Sequence, residues 1–267
     1  MTDRYAVIGN PIAHSKSPWI HAEFARQTRQ DIEYTRLEAP LAGFARSVEE
    51  FRGAGGRGAN VTVPFKEQAF DLCRDALSAR ARAAGVVNTL IFEAAGLRGD
   101  NTDGIGLLRD ITVNLGRAVA GKRVLLMGAG GAAQGVLGPL LAAQPQRLVI
   151  ANRTAARSRS LAQRFGATAG GGYGDLGNAQ FDLLINATSS GLTDEAPPLP
   201  PGAFAPGALG YDMVYGRDTP FLAIARAAGA EARDGAGMLV EQAAESFLLW
   251  RGVRPETAPV LAALRLG

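Results

Sequence analysis

KRVLLMGAGGAAQGVLGPLLAA, residues 122–143, is the stretch on which the fold turns. From Val124 to Ala143 it has no charged side chain, a length that matches a membrane span. Five glycines, Gln134 and Pro139 break that hydrophobicity. A buried strand, KRVLLMG (122–128), then a glycine turn and a helix to about Ala143, accounts for the pattern better. The spacing G-x-G-x-x-A falls between strand and helix. Gly128 permits the tight turn, Gly130 lets the backbone approach a diphosphate, and Ala133 allows close helix–strand packing. With Ala129, Gly131 and Ala132 these residues form a candidate diphosphate cradle at a helix N-terminus.

The next strand, RLVIAN (147–152), sharpens the ligand. Its end presents Asn152, Arg153 and Thr154, with Arg157 one helical turn on. A binder of the unphosphorylated dinucleotide usually places an acidic residue there, against the ribose hydroxyls. A carboxylate would repel a ribose 2′-phosphate, whereas two guanidiniums attract it. Charge-assisted hydrogen bonds contribute roughly 1.5–3 kcal/mol each before exposure is discounted, so NADP is expected over NAD by about 10²-fold. A merely solvated helix start would carry the same arginines, and that alternative stays open here.

Outward from this core, FDLLINA (181–187) and LGYDMVY (209–215) read as further strands, with glycine- and proline-rich loops TAGGGYGDLG (168–177) and APPLPPG (196–202). Upstream, RYAVIG (4–9), IEYTRLE (32–38) and ANVTVPF (59–65) read as strands, with helices over Pro18 to Gln27 and Leu41 to Arg52 between them. VNTLIFE (87–93) and LRGDN (97–101) lie so close together that they read as a hairpin. If LRGDN runs parallel to the earlier strands, VNTLIFE opposes them and begins where they end. Asn88 then joins Ser15, Ser17, Lys66, Thr102 and Asp103 at one sheet edge, where open α/β sheets bind ligands. The alternation predicts an α/β protein of two domains. Residues 1–104 form one domain with a mostly parallel sheet and residues 105–237 a Rossmann-type domain. Two helices in 238–267, one of them MLVEQAAESFLLW, pack back on the first.

Composition excludes several classes. With 47% hydrophobic and 20% charged residues the chain is ordinary for a soluble globular protein. One cysteine, Cys73, rules out an internal disulfide framework and fits a reducing cytosol. Two histidines, His14 and His21, make a histidine-rich metal site unexpected. The start, MTDRYAVIGN, lacks the long apolar core of a secretion signal, so a cytoplasmic location is expected. A net charge of +3 with scattered arginines gives no expectation of nucleic-acid or membrane binding. The three lysines, Lys16, Lys66 and Lys122, stand out among 28 basic residues. Unlike arginine, a lysine can part with its proton.

Together, GNPIAHSKSP (9–18), NVTVPFKE (60–67), VNTL (87–90), GDNTDG (99–104), GAGGAA (128–133), NRTAAR (152–157), NATSSG (186–191), YDMVY (211–215) and GMLVEQAAESF (237–247) resemble the shikimate dehydrogenase family from end to end. The resemblance implies reversible, NADP-linked reduction of 3-dehydroshikimate to shikimate on the way to the aromatic amino acids. It implies Lys66 and Asp103 as the catalytic pair, with Ser15 and Ser17 on the substrate carboxylate. Asn60, Thr62, Asn88, Tyr215 and Gln242 are implied around the substrate ring. On the cofactor side it adds Asn186, Thr188, Met213 and Gly235. A small-molecule substrate and a monomer or homodimer are expected. The chemistry suits these types, because hydride addition to a ketone leaves negative charge on oxygen and an ammonium can stabilise that charge and protonate it.

Singly, each residue has a plainer reading. Ser17 before Pro18 makes a good helix cap, Asp103–Gly104 a turn, Gln242 a solvent-facing helix residue. Two functional rivals also stand: a quinate/shikimate dehydrogenase with broader substrate or NAD use, and a catalytically silent NADP-binding sensor.

Overall fold

The computed structural model describes residues 2–94, 96–188 and 195–266. The chain divides into two compact units, Met1–Gly106 with Leu239–Gly267, and Leu107–Met238.

In the first unit the order is β1 (Asp3–Gly9), α1 (Ser17–Thr28), β2 (Ile32–Glu38), α2 (Phe44–Gly53), β3 (Gly56–Val61), α3 (Lys66–Leu72), α4 (Ala79–Ala84), β4 (Thr89–Glu93) and β5 (Gly96–Asp100), followed by α5 (Asp103–Arg109), which begins in this unit and ends in the second. Five strands form one sheet in the order β2-β1-β3-β4-β5. β1 pairs parallel with β2 and β3, and β4 runs antiparallel to both β3 and β5. The hairpin therefore turns as expected, and it brings the start of β4 to the carboxyl ends of β1, β3 and β5. Tyr5 to Gly9 are buried without interruption, as befits a central strand covered on both faces, whereas β2 alternates like an edge.

The expected strand over 59–65 is shifted. β3 ends at Val61, and Lys66 opens α3 instead of ending a strand. Pro64 has no N–H to give the ladder, so pairing stops before it. Phe65, fully buried and stacked 4.9 Å from Phe44, then anchors the start of the helix. Ser17 is likewise not a cap. It is the first residue of α1, buried, and the cap position falls on Lys16, which makes no capping side-chain bond.

The second unit contains β6 (Arg123–Met127), α6 (Gly131–Ala142), β7 (Arg147–Ala151), α7 (Ala155–Phe165), β8 (Ala169–Gly171), β9 (Phe181–Asn186), β10 (Phe204–Asp212), α8 (Pro220–Ala227) and β11 (Glu231–Arg233). Its six strands are all parallel in the order β11-β10-β9-β6-β7-β8. This is the doubly wound dinucleotide-binding order, with the reversal between β6 and β9. The glycine-rich stretch expected as loop holds β8, which pairs with β7 at the sheet edge. Val124 to Met127 are fully buried strand, and among the described residues no helix is long and apolar enough to cross a membrane.

α9 (Ala236–Arg251) and α10 (Ala258–Leu266) complete the chain. From Leu239 onward they belong to the first unit, where Trp250 Nε1 donates to the carbonyl of Leu90 in β4 (3.0 Å). A Cβ on Gly58 of β3 would lie 2.5 Å from that indole nitrogen, so this close approach requires glycine.

Candidate active site

At the carboxyl edge of the first sheet, Lys66 stands on the first turn of α3 and Asp103 on the first turn of α5. Lys66 Nζ donates to Asp103 Oδ2 at 2.7 Å, with side chains only 14% and 6% exposed. Burying an ion pair costs several kcal/mol per ion in desolvation, about as much as the attraction returns, so stability alone gives little reason for one here. The pair does leave an ammonium oriented by a carboxylate at the mouth of the sheet.

Asn88, just before β4, holds the other carboxylate oxygen. Its Nδ2 donates to Asp103 Oδ1 and to Thr102 Oγ1, both at 2.9 Å. Its Oδ1 accepts from the Thr102 backbone N–H and from Thr89 Oγ1, both at 2.8 Å. Gln242, half-buried on α9, accepts weakly from Asn88 and Thr102, at 3.4 Å each. Asn60 donates to Ser246 Oγ (2.9 Å) and to the Asn88 carbonyl (3.3 Å), and accepts from Tyr34 (2.8 Å). Lys66, Asn88, Asp103, Gln242 and Asn60 are thus brought into one network. Thr62 lies one residue beyond β3, half-buried. No sequence pattern singles out Thr89, Ser246 or Tyr34, although Ser246 follows Gln242 by four residues and so shares its helix face.

Ser15 in the loop after β1 and Ser17 at the first position of α1 sit together, the Ser17 N–H donating to Ser15 Oγ (3.3 Å). Arg36 clamps the loop by donating twice to the Ser15 carbonyl, at 2.9 and 2.6 Å. Ser17 also approaches the Tyr34 hydroxyl, whose ionisation burial pushes far upward. Beneath lies His21, fully buried and stacked 4.1 Å from Tyr34. Burial pushes its imidazole down to about 3, against a smaller opposing pull from Asn60, and neither ring nitrogen reaches hydrogen-bonding geometry with any of the described residues.

The second unit has its own edge. Gly128 takes φ +107°, and a Cβ there would meet the Ala187 carbonyl at 3.0 Å, so the turn between β6 and α6 accepts only glycine. Gly130 caps α6, with Gly131 and Ala132 in its first turn after Ala129. Gly130 itself has no side chain, and among the described residues a Cβ there would meet nothing within 4 Å. Ala133 is fully buried. Asn152 follows β7 and donates to the Thr154 carbonyl (3.1 Å). Arg153 and Arg157 are exposed, and Arg153 pairs with Glu195 at 3.2 Å. Asn186 ends β9 and accepts from Thr188 Oγ1 (2.7 Å). It also donates to Asp212 Oδ2 (3.1 Å), a buried carboxylate that further accepts from Thr219 Oγ1 (2.6 Å) and the Val214 N–H (3.0 Å). Met213 donates from its backbone to the Asn186 carbonyl (2.9 Å), and Gly235 packs so tightly on the Met213 carbonyl that a Cβ would lie 2.4 Å away. Tyr215, two residues on, belongs to this second unit. Ser189, Ser190 and Gly191 of the NATSSG motif lie outside the described residues. Among the described residues no group of three or more His, Cys, Asp or Glu is placed to hold a metal ion.

Three family descriptions match the chain: the shikimate dehydrogenase substrate binding domain over residues 7–90, shikimate/quinate 5-dehydrogenase over 111–193, and the shikimate 5′-dehydrogenase C-terminal domain over 235–265. Shikimate dehydrogenase (NADP+) of Aromatoleum aromaticum is 62% identical, covering 98% of this chain and 97% of its own. That of Dechloromonas aromatica is 58% identical, covering 99% and 98%. Among solved structures, the Thermus thermophilus shikimate 5-dehydrogenase in complex with NADP(H) and shikimate has TM-score 0.89 at 35% identity, covering 99% of each chain. An Ael1 enzyme from Pseudomonas putida has TM-score 0.93 at 48% identity, covering 98% of each. By fold, by motif and by likeness along its whole length, the chain belongs to the shikimate dehydrogenase family.

Proposed function

We infer that the chain is an NADP-dependent shikimate dehydrogenase, catalysing reversible reduction of 3-dehydroshikimate to shikimate in the cytoplasm as part of aromatic amino acid biosynthesis. The observation that carries this is the Lys66–Asp103 pair, 2.7 Å apart and held by Asn88 at the sheet edge. When bound, NADPH supplies the hydride. The chain's own residues do the rest. Lys66 stabilises the charge that develops on the former ketone oxygen and delivers the proton there, help worth about 10²–10⁴ in rate. Asp103 orients the ammonium and accepts from a neighbouring substrate hydroxyl. Ser15 and Ser17 donate to the substrate carboxylate without adding charge. Asn60, Thr62, Asn88 and Gln242 face the ring hydroxyls.

Gly128 to Ala132 suit a dinucleotide diphosphate, since the turn brings backbone amides forward and no Cβ fills the space over Gly130. Asn152, Arg153, Thr154 and Arg157 suit a 2′-phosphate, and Asn186, Thr188, Met213 and Gly235 would hold the remainder of the cofactor. The test is absorbance at 340 nm with shikimate or quinate against NADP or NAD. The shikimate–NADP pair is expected to have the highest kcat/KM. Equal or better turnover of quinate with NAD would move the assignment to the broader enzyme. No turnover by folded protein would leave a sensor.

A further inference from the structure

We propose that Thr89 and Ser246 are positioning residues, whose buried hydroxyls fix the orientation of the Asn88 carboxamide and through it the placement of Asp103 beside Lys66. The consequence for turnover rests on the functional reading above, whereas the orientation of Asn88 stands on geometry alone.

The argument follows the protons, because at several steps one partner can play only one part. The Thr102 backbone N–H can only donate, and it meets Asn88 Oδ1 at 2.8 Å. That assigns the oxygen of the carboxamide and turns its nitrogen to Asp103 Oδ1 and Thr102 Oγ1, which use both amide protons. Thr89 Oγ1 lies 2.8 Å from the same Asn88 oxygen, so its single proton is spent there. Its contact with Ser246 Oγ at 2.9 Å then requires Ser246 to donate, sharing that proton with the Gln242 carbonyl at 3.1 Å. Ser246 accepts from Asn60 Nδ2 at 2.9 Å, and Asn60 accepts from the Tyr34 hydroxyl at 2.8 Å. The chain of bonds thus runs in one direction from Tyr34 through Asn60, Ser246, Thr89 and Asn88 to Asp103.

Thr89 and Ser246 are fully buried, and Asn60 and Asn88 nearly so. Water therefore does not stand in for a missing hydroxyl, and an unmet buried polar group is costly. Without Thr89 Oγ1, Asn88 Oδ1 keeps, among the described residues, only donors from Thr102. Without Ser246 Oγ, Thr89 and Asn60 each lose a partner. In both cases the carboxamide has less reason to present its nitrogen to Asp103. A displacement of about 1 Å in a group that orients a proton donor costs up to roughly 10²-fold in rate.

The test uses the whole chain and the variants Thr89→Val, Thr89→Ser and Ser246→Ala, with folding checked by circular dichroism. The first readout is solvent exchange of the Asn88 carboxamide protons in ¹H–¹⁵N spectra, assigned by their loss in Asn88→Asp. Exchange is expected to quicken by at least about tenfold in Thr89→Val and Ser246→Ala and to stay near wild type in Thr89→Ser. The second is steady-state turnover of shikimate with NADP. Here kcat is expected to fall about tenfold in the first two variants with a smaller change in KM, and Thr89→Ser to restore it. Unchanged exchange in Thr89→Val, or an equal fall in Thr89→Ser, would overturn the proposal, the latter by showing that packing rather than the hydroxyl matters. Exchange is read without substrate, so it decides the orientation of Asn88 even where wild-type turnover fails, and in that case only the assigned activity falls.

Discussion

The carboxyl edge of the first sheet is built from side chains bonded to one another: Lys66 to Asp103, Asp103 to Asn88, Asn88 to Thr89 and Thr102, all buried or nearly so. The carboxyl edge of the second sheet presents backbone instead, a turn that only glycine fits and the start of α6, flanked by exposed arginines. Recognition by locked side chains ties each residue to its neighbours, so a single change propagates. Recognition by backbone amides and exposed charge leaves each side chain nearly independent. The two edges are therefore expected to answer mutation with different magnitudes.

The largest effect is expected at Lys66. On the proposed mechanism Lys66→Ala removes the proton donor and leaves Asp103 a nearly buried charge without its cation, so kcat should fall by roughly 10²–10⁴ with a smaller rise in KM. Steady-state and single-turnover kinetics with shikimate and NADP would separate the two. A loss confined to KM would reassign Lys66 to binding, and the first edge would then resemble the second.

A smaller and separable effect is expected at the arginines. On the proposed reading, in which the two solvent-exposed side chains touch only the added phosphate, Arg153→Ala with Arg157→Ala should lower kcat/KM for NADP by about 10–100-fold and leave NAD nearly untouched. Arg153 is 74% exposed and its pair with Glu195 is worth little. The preference should also shrink as salt is raised, since exposed charges are screened over about 10 Å at 0.1 M. An equal loss with both cofactors would mean that the arginines hold α7 in place rather than read the phosphate.

The same contrast explains what was legible in the sequence. The second edge is local: G-x-G-x-x-A and the arginines after β7 lie in short continuous stretches, and their spacing alone places backbone and charge. The first edge is not local. The hairpin placed Asn88 beside Asp103, because a tight connection fixes the direction of β4. Nothing in the spacing showed that Ser246, 157 positions along from Thr89, would bond to it. The start of α3 at Lys66 is hard to read because NVTVPF alternates like a strand to its end and only the missing N–H of Pro64 says otherwise. β8 was lost for the opposite reason: three residues, two of them glycine, offer no side-chain pattern to read.

The smallest effect lies beneath the first edge, at His21. Its folded value, near 3, is below the value of about 6.5 for a free imidazole, so the unfolded chain binds the proton more readily. The stabilising contribution of the neutral ring is therefore fully present above about pH 6.5 and is lost as pH falls toward 3, by up to about 1.4 kcal/mol per pH unit. Between pH 6.5 and 5.5 the loss should be about 1 kcal/mol. His21→Phe keeps an aromatic ring against Tyr34 and Phe24 and should remove that part of the slope. Trp19 and Trp250 are the only two tryptophans and both belong to the first unit, so urea unfolding followed by their fluorescence reports on that unit alone. The same slope in His21→Phe as in the wild type would show that His21 is already solvated or paired. The apolar floor under the Tyr34–Asn60 bond would then be less dry than its packing implies, and the first edge would lose part of the rigidity that sets it apart from the second.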